Sequence, residues 1–205
     1  ILLAFILLVL YSCTSNKKKI NRYELVNRHN VKISGYDSLN SLSIGNGDFT
    51  FTTGLTGLQT FYKAYENGVP LGTQSNWGWH SFSNKENFIR EVCYRYHKYQ
   101  GRKVPYLAGQ YDTKRKEEAT GYFRKNPHRL HLGMVGLLMK KEDGSQVKLE
   151  DIKDAMHHLN LWTGKITSTF EVEGKQVKVE VFCHQKKDMI SARIESPLIS
   201  NGQLS

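Results

Sequence analysis

No stretch of this chain carries the roughly twenty consecutive apolar residues that a membrane-spanning helix needs. Its longest apolar run, Ile1–Leu10, is far shorter. The three cysteines form no Cys-x-x-Cys and no cysteine/histidine zinc spacing, which argues against structural zinc and dithiol redox chemistry. No Gly-x-Ser-x-Gly elbow and no phosphate-binding Gly-x-x-x-x-Gly-Lys loop occurs, so neither a serine hydrolase nor a nucleotide triphosphatase is indicated. Internal repeats are absent, and so is the strand–helix alternation of a parallel sheet. No cofactor motif is present.

Acidic residues are also scarce. There are 19 Asp and Glu against 29 Lys and Arg, a formal charge of +10 in 205 residues. Such a balance invites an anionic partner. The densest patch, Arg90–Lys103, interleaves cations with Tyr94, Tyr96 and Tyr99, as single-stranded nucleic-acid binders do. An exported chain does not meet nucleic acid, so the reading is no nucleic acid. A solvated basic face, or contact with an acidic polysaccharide, fits better.

Export is read from the first residues. Ile1–Leu10 has the length of a secretory signal's apolar region, with its charged start missing. Leu10-Tyr11-Ser12-Cys13 resembles a bacterial lipobox, in which a small residue precedes the cysteine that receives lipid. Cys13 is therefore the expected lipidation site. Lys17, Lys18 and Lys19 follow, placed to meet anionic head groups. Thr14 after the cysteine favours the outer membrane. The expected location is the bacterial cell envelope, lipid-anchored, facing periplasm or surface. The alternative is a signal that stays uncleaved or is cut by another peptidase. The other cysteines, Cys93 and Cys183, have no spacing that demands a bridge and read as two small buried thiols.

The rest reads as mainly β, an antiparallel β-sandwich. Phe49, Phe51 and Thr53 share one face of a strand between glycine-bearing turns. Ile166, Ser168, Phe170 and Val172 do so in a later strand, and Val177, Val179, Val181 and Cys183 in the strand that returns after Glu173-Gly174-Lys175. Ile190, Ala192 and Ile194 mark a third strand. "RLHLGMVGLLM" reads as a further strand and "KEDGSQ" as a turn. Ser83-x-x-Glu86, with Phe88, Val92 and Tyr96 at four-residue spacing, predicts a helix from near Asn84 to before Gly101. A weaker helix is expected between Thr113 and Lys125, ending by Asn126 because Pro127 follows. The chain thus divides into a signal and lipobox (1–13), a tether (14–24) and a sandwich (25–205) with a partly helical insertion at about 60–127.

The segments "RHNVKISGYDSLNSLSIGNGDFTFT", "GLQTF", "GVPLGTQSNWGWHSF", "NPHRLHLG" and "LNLWTGKITSTFEVEGKQVKVEVFCHQKKDMISARIESPL" resemble, in order, the amino-terminal part of exported bacterial six-hairpin glycosidase-like proteins. Relatives of that family include maltose-phosphorylase-type and glucoamylase-type enzymes. The resemblance implies a β-supersandwich, here incomplete, followed in such proteins by a helical toroid that holds the catalytic carboxylates. It implies an enzyme domain of a glycoside hydrolase or phosphorylase whose catalytic residues lie outside this chain, inactive by itself. The missing toroid and a carbohydrate are then its partners. The alternative is a non-catalytic glycan-binding lipoprotein.

Local carboxylate pairs, Glu117/Glu118 and Glu150/Asp151, stand in ordinary helix or turn contexts and not at the defined separation glycoside chemistry needs. His128, His131, His157 and His158 lack a carboxylate at matching spacing, so no metal site is expected. The candidate site is Thr73–Phe82. Trp77 and Trp79 flank Gly78, and Gln74 and His80 stand beside them. Indoles stack on the CH faces of sugars while Gln and His side chains bond the edges. The competing reading makes the tryptophans a packing staple. Trp162 enters a strand and is expected in the core.

Overall fold

A computed structural model describes residues 19–107 and 112–205. The lipobox-like Cys13 lies outside the described residues. The fold is mainly β, with antiparallel sheets and a small helical part, and resembles a sandwich.

The larger sheet has five strands in the order β1-β9-β10-β11-β12. These are β1 (Val31–Ser34), β9 (Lys153–Asn160), β10 (Lys165–Val172), β11 (Lys175–Cys183) and β12 (Ile190–Glu195). Alternation decides the buried face. Ile166, Ser168, Phe170, Val172, Val177, Val179 and Val181 are fully buried, and the residues that alternate with them are not. Glu173 and Gly174 join β10 to β11, both at positive φ (49° and 72°), as a two-residue hairpin turn requires. The smaller sheet, β2 (Leu42–Gly45), β3 (Phe49–Thr53) and β4 (Thr73–Ser75), turns Leu42, Ile44, Phe49 and Phe51 onto the same core.

Thr53–Gln59 runs buried against the larger sheet between these two layers. Gly57 (φ 79°) permits its close approach: a Cβ there would stand 2.9 Å from the Ser168 Oγ. His157 is the polar tie across the core. Its Nε2 lies 3.2 Å from the Thr53 Oγ1 of the smaller sheet, and its Nδ1 meets the Ser168 hydroxyl.

Between β4 and β9 comes the irregular part. β5 (Trp79–His80) pairs with β8 (His128–Arg129), and β6 (Tyr94–Tyr99) with β7 (Arg102–Leu107). The expected helix from Asn84 is not formed. Asn84 instead closes a local loop, its side chain accepting from the Phe88 amide and donating to the Phe88 carbonyl, both at 2.8 Å. A 3-10 turn (Arg90–Cys93) leads into β6, where alternating aromatics favour a strand. Gln100 and Gly101, at φ 45° and 78°, turn it back. The second helix is present as α2 (Lys114–Lys125). Thr113 caps it and Asn126 ends it before Pro127.

Three further expectations differ. Arg22–Asn27 is helical (α1), so residues 22–24 of the expected tether (14–24) are ordered, while 14–18 lie outside the described residues. Arg129–Met139 is mostly not a regular strand. It runs extended with scattered bonds, Leu132 N–H to Thr73 O and Gln59 N–H to Val135 O. Gly133 (φ 149°) breaks its pleat, and the backbone at Gly136 sits so close to Thr60 that a Cβ would meet its Cα at 3.0 Å. Trp162 is exposed and not core. The Asn160 side chain accepts from the Trp162 and Thr163 amides and curls the chain into the β9–β10 turn. The "KEDGSQ" turn is there, closed by Lys141 N–H to Ser145 O at 2.8 Å. A last short helix, α3 (Pro197–Ser200), buries Leu198. Cys93 is buried, Cys183 half-buried, and both are free. No helix among the described residues is long and apolar enough to cross a membrane.

Candidate functional site

The loop that holds Trp77 begins in the core. Ser75 is buried opposite Phe49, and Thr73 lies opposite Phe51. Gln74 pairs with Thr50, so it projects from the other, outer face of the smaller sheet and away from the core side. The chain leaves β4 with Asn76 N–H bonded to Asp48 O and the Asn76 amide donating to Asp48 Oδ1. It is then held by Leu130 N–H donating to Gly78 O at 2.7 Å.

Gly78 has no left-handed φ. Its role is space: a Cβ would stand 3.1 Å from the Leu132 Cδ2. Glycine lets the loop lie down on Leu132 rather than turn sharply.

Trp77 is 70 % exposed, yet its ring is fixed at the edge. The indole N–H donates to Asp188 Oδ2 at 2.7 Å, and the buried Ser75 hydroxyl donates to the same oxygen. Trp79 is 48 % exposed, with the Arg129 guanidinium 4.9 Å from its ring centre. The two indoles therefore share one pinned loop. His80 does not join them. It follows Trp79 in a strand and faces the opposite way, into a cluster of rings. His128 lies 5.2 Å from it edge-on, Phe82 lies 5.7 Å away, and Tyr122 packs against Phe82. Of the four expected residues, Trp77 and Trp79 are exposed on one loop, each set by its own partner, while Gln74 lies on the outer face of the smaller sheet and His80 in the ring cluster.

Asp188 and Arg129, which set the indoles, carry no local sequence signal. Asp188 stands more than a hundred residues from Trp77 and is brought there by the β11–β12 loop. Asn46 ties that loop to the smaller sheet, donating to His184 O and Lys187 O, both at 3.1 Å. Beside it opens a cleft of about 340 Å³ bordered by Ser43, Asn46, Leu161, Thr163, Cys183 and Gln185 among others. Burial, with Asp188 nearby, pushes the Cys183 thiol up, so this cysteine is no ready nucleophile.

The strand directions put all these parts at one end of the sandwich. The β9–β10 turn, the β11–β12 loop, the β2–β3 turn and the amino end of β1 all lie there. The β10–β11 hairpin marks the opposite end. No group of three or more His, Cys, Asp or Glu among the described residues is placed to hold a metal ion. The basic, tyrosine-rich patch forms the β6–β7 hairpin and is largely exposed, with Lys103 4.3 Å from the Tyr96 ring.

Comparison with known protein families, curated proteins and solved structures finds no significant match to this chain.

Proposed function

We propose that this chain is the non-catalytic sandwich domain of an exported carbohydrate-active enzyme, a glycoside hydrolase or phosphorylase. Its part is structural, with the Trp77/Trp79 loop offering contact to a glycan. One observation carries the reading: the Trp77 indole is locked by Asp188 while most of its surface stays open. A staple onto the sandwich would bury that surface, while a staple onto a separate toroid is told apart by the kinetics below. A fixed, open indole is what a sugar's CH face stacks on, and it costs little ordering when the sugar arrives. The side chains of Asn76 and Gln185 border the same end and can bond sugar hydroxyls. Catalytic carboxylates are assigned to a separate helical toroid, and a lipid on Cys13 holds the assembly in the envelope.

The test is binding and kinetics on single variants of the full-length enzyme. Trp77→Ala or Trp79→Ala is expected to lose on the order of 1 kcal/mol of affinity, several-fold in Kd. A contact made equally to substrate and transition state raises KM and leaves kcat unchanged. Unchanged KM with a much lower melting temperature would mean a staple. The alternative, a non-catalytic glycan-binding envelope lipoprotein, rests on the same open loop. It is favoured if the reading frame beyond residue 205 encodes no amphipathic helices with spaced carboxylates.

A further inference from the structure

α1 and the β9–β10 turn border a shallow groove of about 670 Å³, lined by Lys19, Ile20, Arg22, Leu25, Val26 and Trp162. Ile20 is 75 % exposed, and Tyr23, Leu25 and Trp162 are exposed with it. The surface is built and not frayed. Tyr23 meets Trp162 edge-on with ring centres 5.3 Å apart, and Leu161 N–H donates to the Asn30 side chain at 2.9 Å. Cations dominate it: Lys19, Arg22 and Arg28 stand against Glu24, the single acid of α1.

We propose that this face rests on a lipid leaflet, with Trp162, Ile20 and Leu25 entering the head-group region and Lys19 and Arg22 meeting anionic head groups. Two arguments select the leaflet over another occupant. The first is chemical. Indole and phenol rings beside aliphatic side chains suit the boundary between water and hydrocarbon, and cations near it are drawn to anionic lipid. Lys17 and Lys18 precede this face in the sequence. The second is reach. Lys19 lies six residues beyond Cys13, at most about 22 Å of extended chain. With α1 beginning at Arg22, little slack remains, so an anchor at Cys13 keeps the face made by α1 and the β9–β10 turn at the membrane. The inference rests on the anchored reading for how the chain reaches the leaflet.

The experiment uses the full chain with Trp77→Phe and Trp79→Phe, which leaves Trp162 as its one indole. It is reconstituted on vesicles of phosphatidylethanolamine and phosphatidylglycerol with brominated acyl chains. Trp162 emission is expected to shift to the blue and be quenched, and raising the salt to relieve part of the quenching. Ile20→Ser with Leu25→Ser is expected to abolish it while circular dichroism stays unchanged. Unquenched Trp162 on vesicles that hold the protein overturns the proposal, as does full quenching in the folded double-serine variant. The mass of the Cys13 peptide separates the two readings. Quenching without a lipid on Cys13 ends the anchored reading and keeps the leaflet surface. A lipid without quenching does the reverse, and neither lipid nor vesicle binding ends both.

Discussion

His157 is the residue on which the core is most sensitive to acid. Burial pushes its pKa down from 6.5 to about 4, because a charged imidazole has no compensation between the two sheets. The folded-state pKa lies below the unfolded one, so protons favour the unfolded chain. The contribution is intact above pH 6.5 and is lost as pH falls from there toward 4, about 3 kcal/mol in all. Chemical denaturation at pH 7 and pH 4.5 is expected to show the loss, and His157→Gln to flatten it. A stability unchanged between those pH values would rule the effect out. Asp188 is the comparable residue for the candidate site. Asp188→Ala is expected to weaken glycan binding several-fold without touching sugar, since Trp77 loses its orienting bond. Asp188→Asn, which keeps an acceptor oxygen, should restore most of it, and equal losses in both variants would contradict a positioning role. Trp77 and Trp79 were legible as a pair because they are neighbours in sequence. Asp188 and Arg129 were not, since only folding brings them there. His80 faces away from Trp79 because adjacent strand residues point opposite ways, an arrangement that proximity in sequence does not reveal.

At the level of elements, legibility followed the source of the signal. The strands β3, β10, β11 and β12 carry strict alternation against one core and stand where the pattern places them. The helix expected from Asn84 rested on spacing in a segment whose apolar residues bury little. Ile89, Val92 and Tyr96 are exposed, so no core enforces the helical period. There the Asn84 side chain and the Gln100-Gly101 turn decide instead. Gln100 is a poor residue for its φ of 45°. Gln100→Asn makes the Asn-Gly pair that two-residue hairpins prefer. It is expected to slow amide exchange across β6 and β7 without altering the sandwich. The β10–β11 turn gives the opposite test. Gly174→Ala at φ 72° forces a side chain into the left-handed region, expected to cost about 1–2 kcal/mol in thermal or denaturant unfolding. A smaller loss would mean that the turn relaxes.

For the molecule as a whole, coverage is uneven. Among the described residues the five-stranded sheet is covered by the smaller sheet, the buried loop and the segments that bring in Leu137, Met139, Val147, Leu198 and Leu204, yet the inward Ala192 of the edge strand β12 is exposed. Leu130, Met134, Val135 and Leu138 are exposed along the irregular segment. An open edge beside apolar surface recruits other chains. Residues 20–205 are therefore expected to self-associate, visible as concentration-dependent mass in sedimentation. A monomer with a sharp cooperative melt would show the sandwich to be complete in itself. The pairing of β1 has a consequence for time. Its one neighbour in the sheet is β9, with Ser34 opposite Met156, so residues 35–155 lie inside that closure. A ribosome makes β1 first, and β1 then waits, unpaired, while the whole insertion is translated. Lengthening that loop twofold would add only about 0.6 kcal/mol to its closure. The order of closure is thus set by when β9 becomes available to β1, during synthesis or after export, rather than by the entropy of the loop between them.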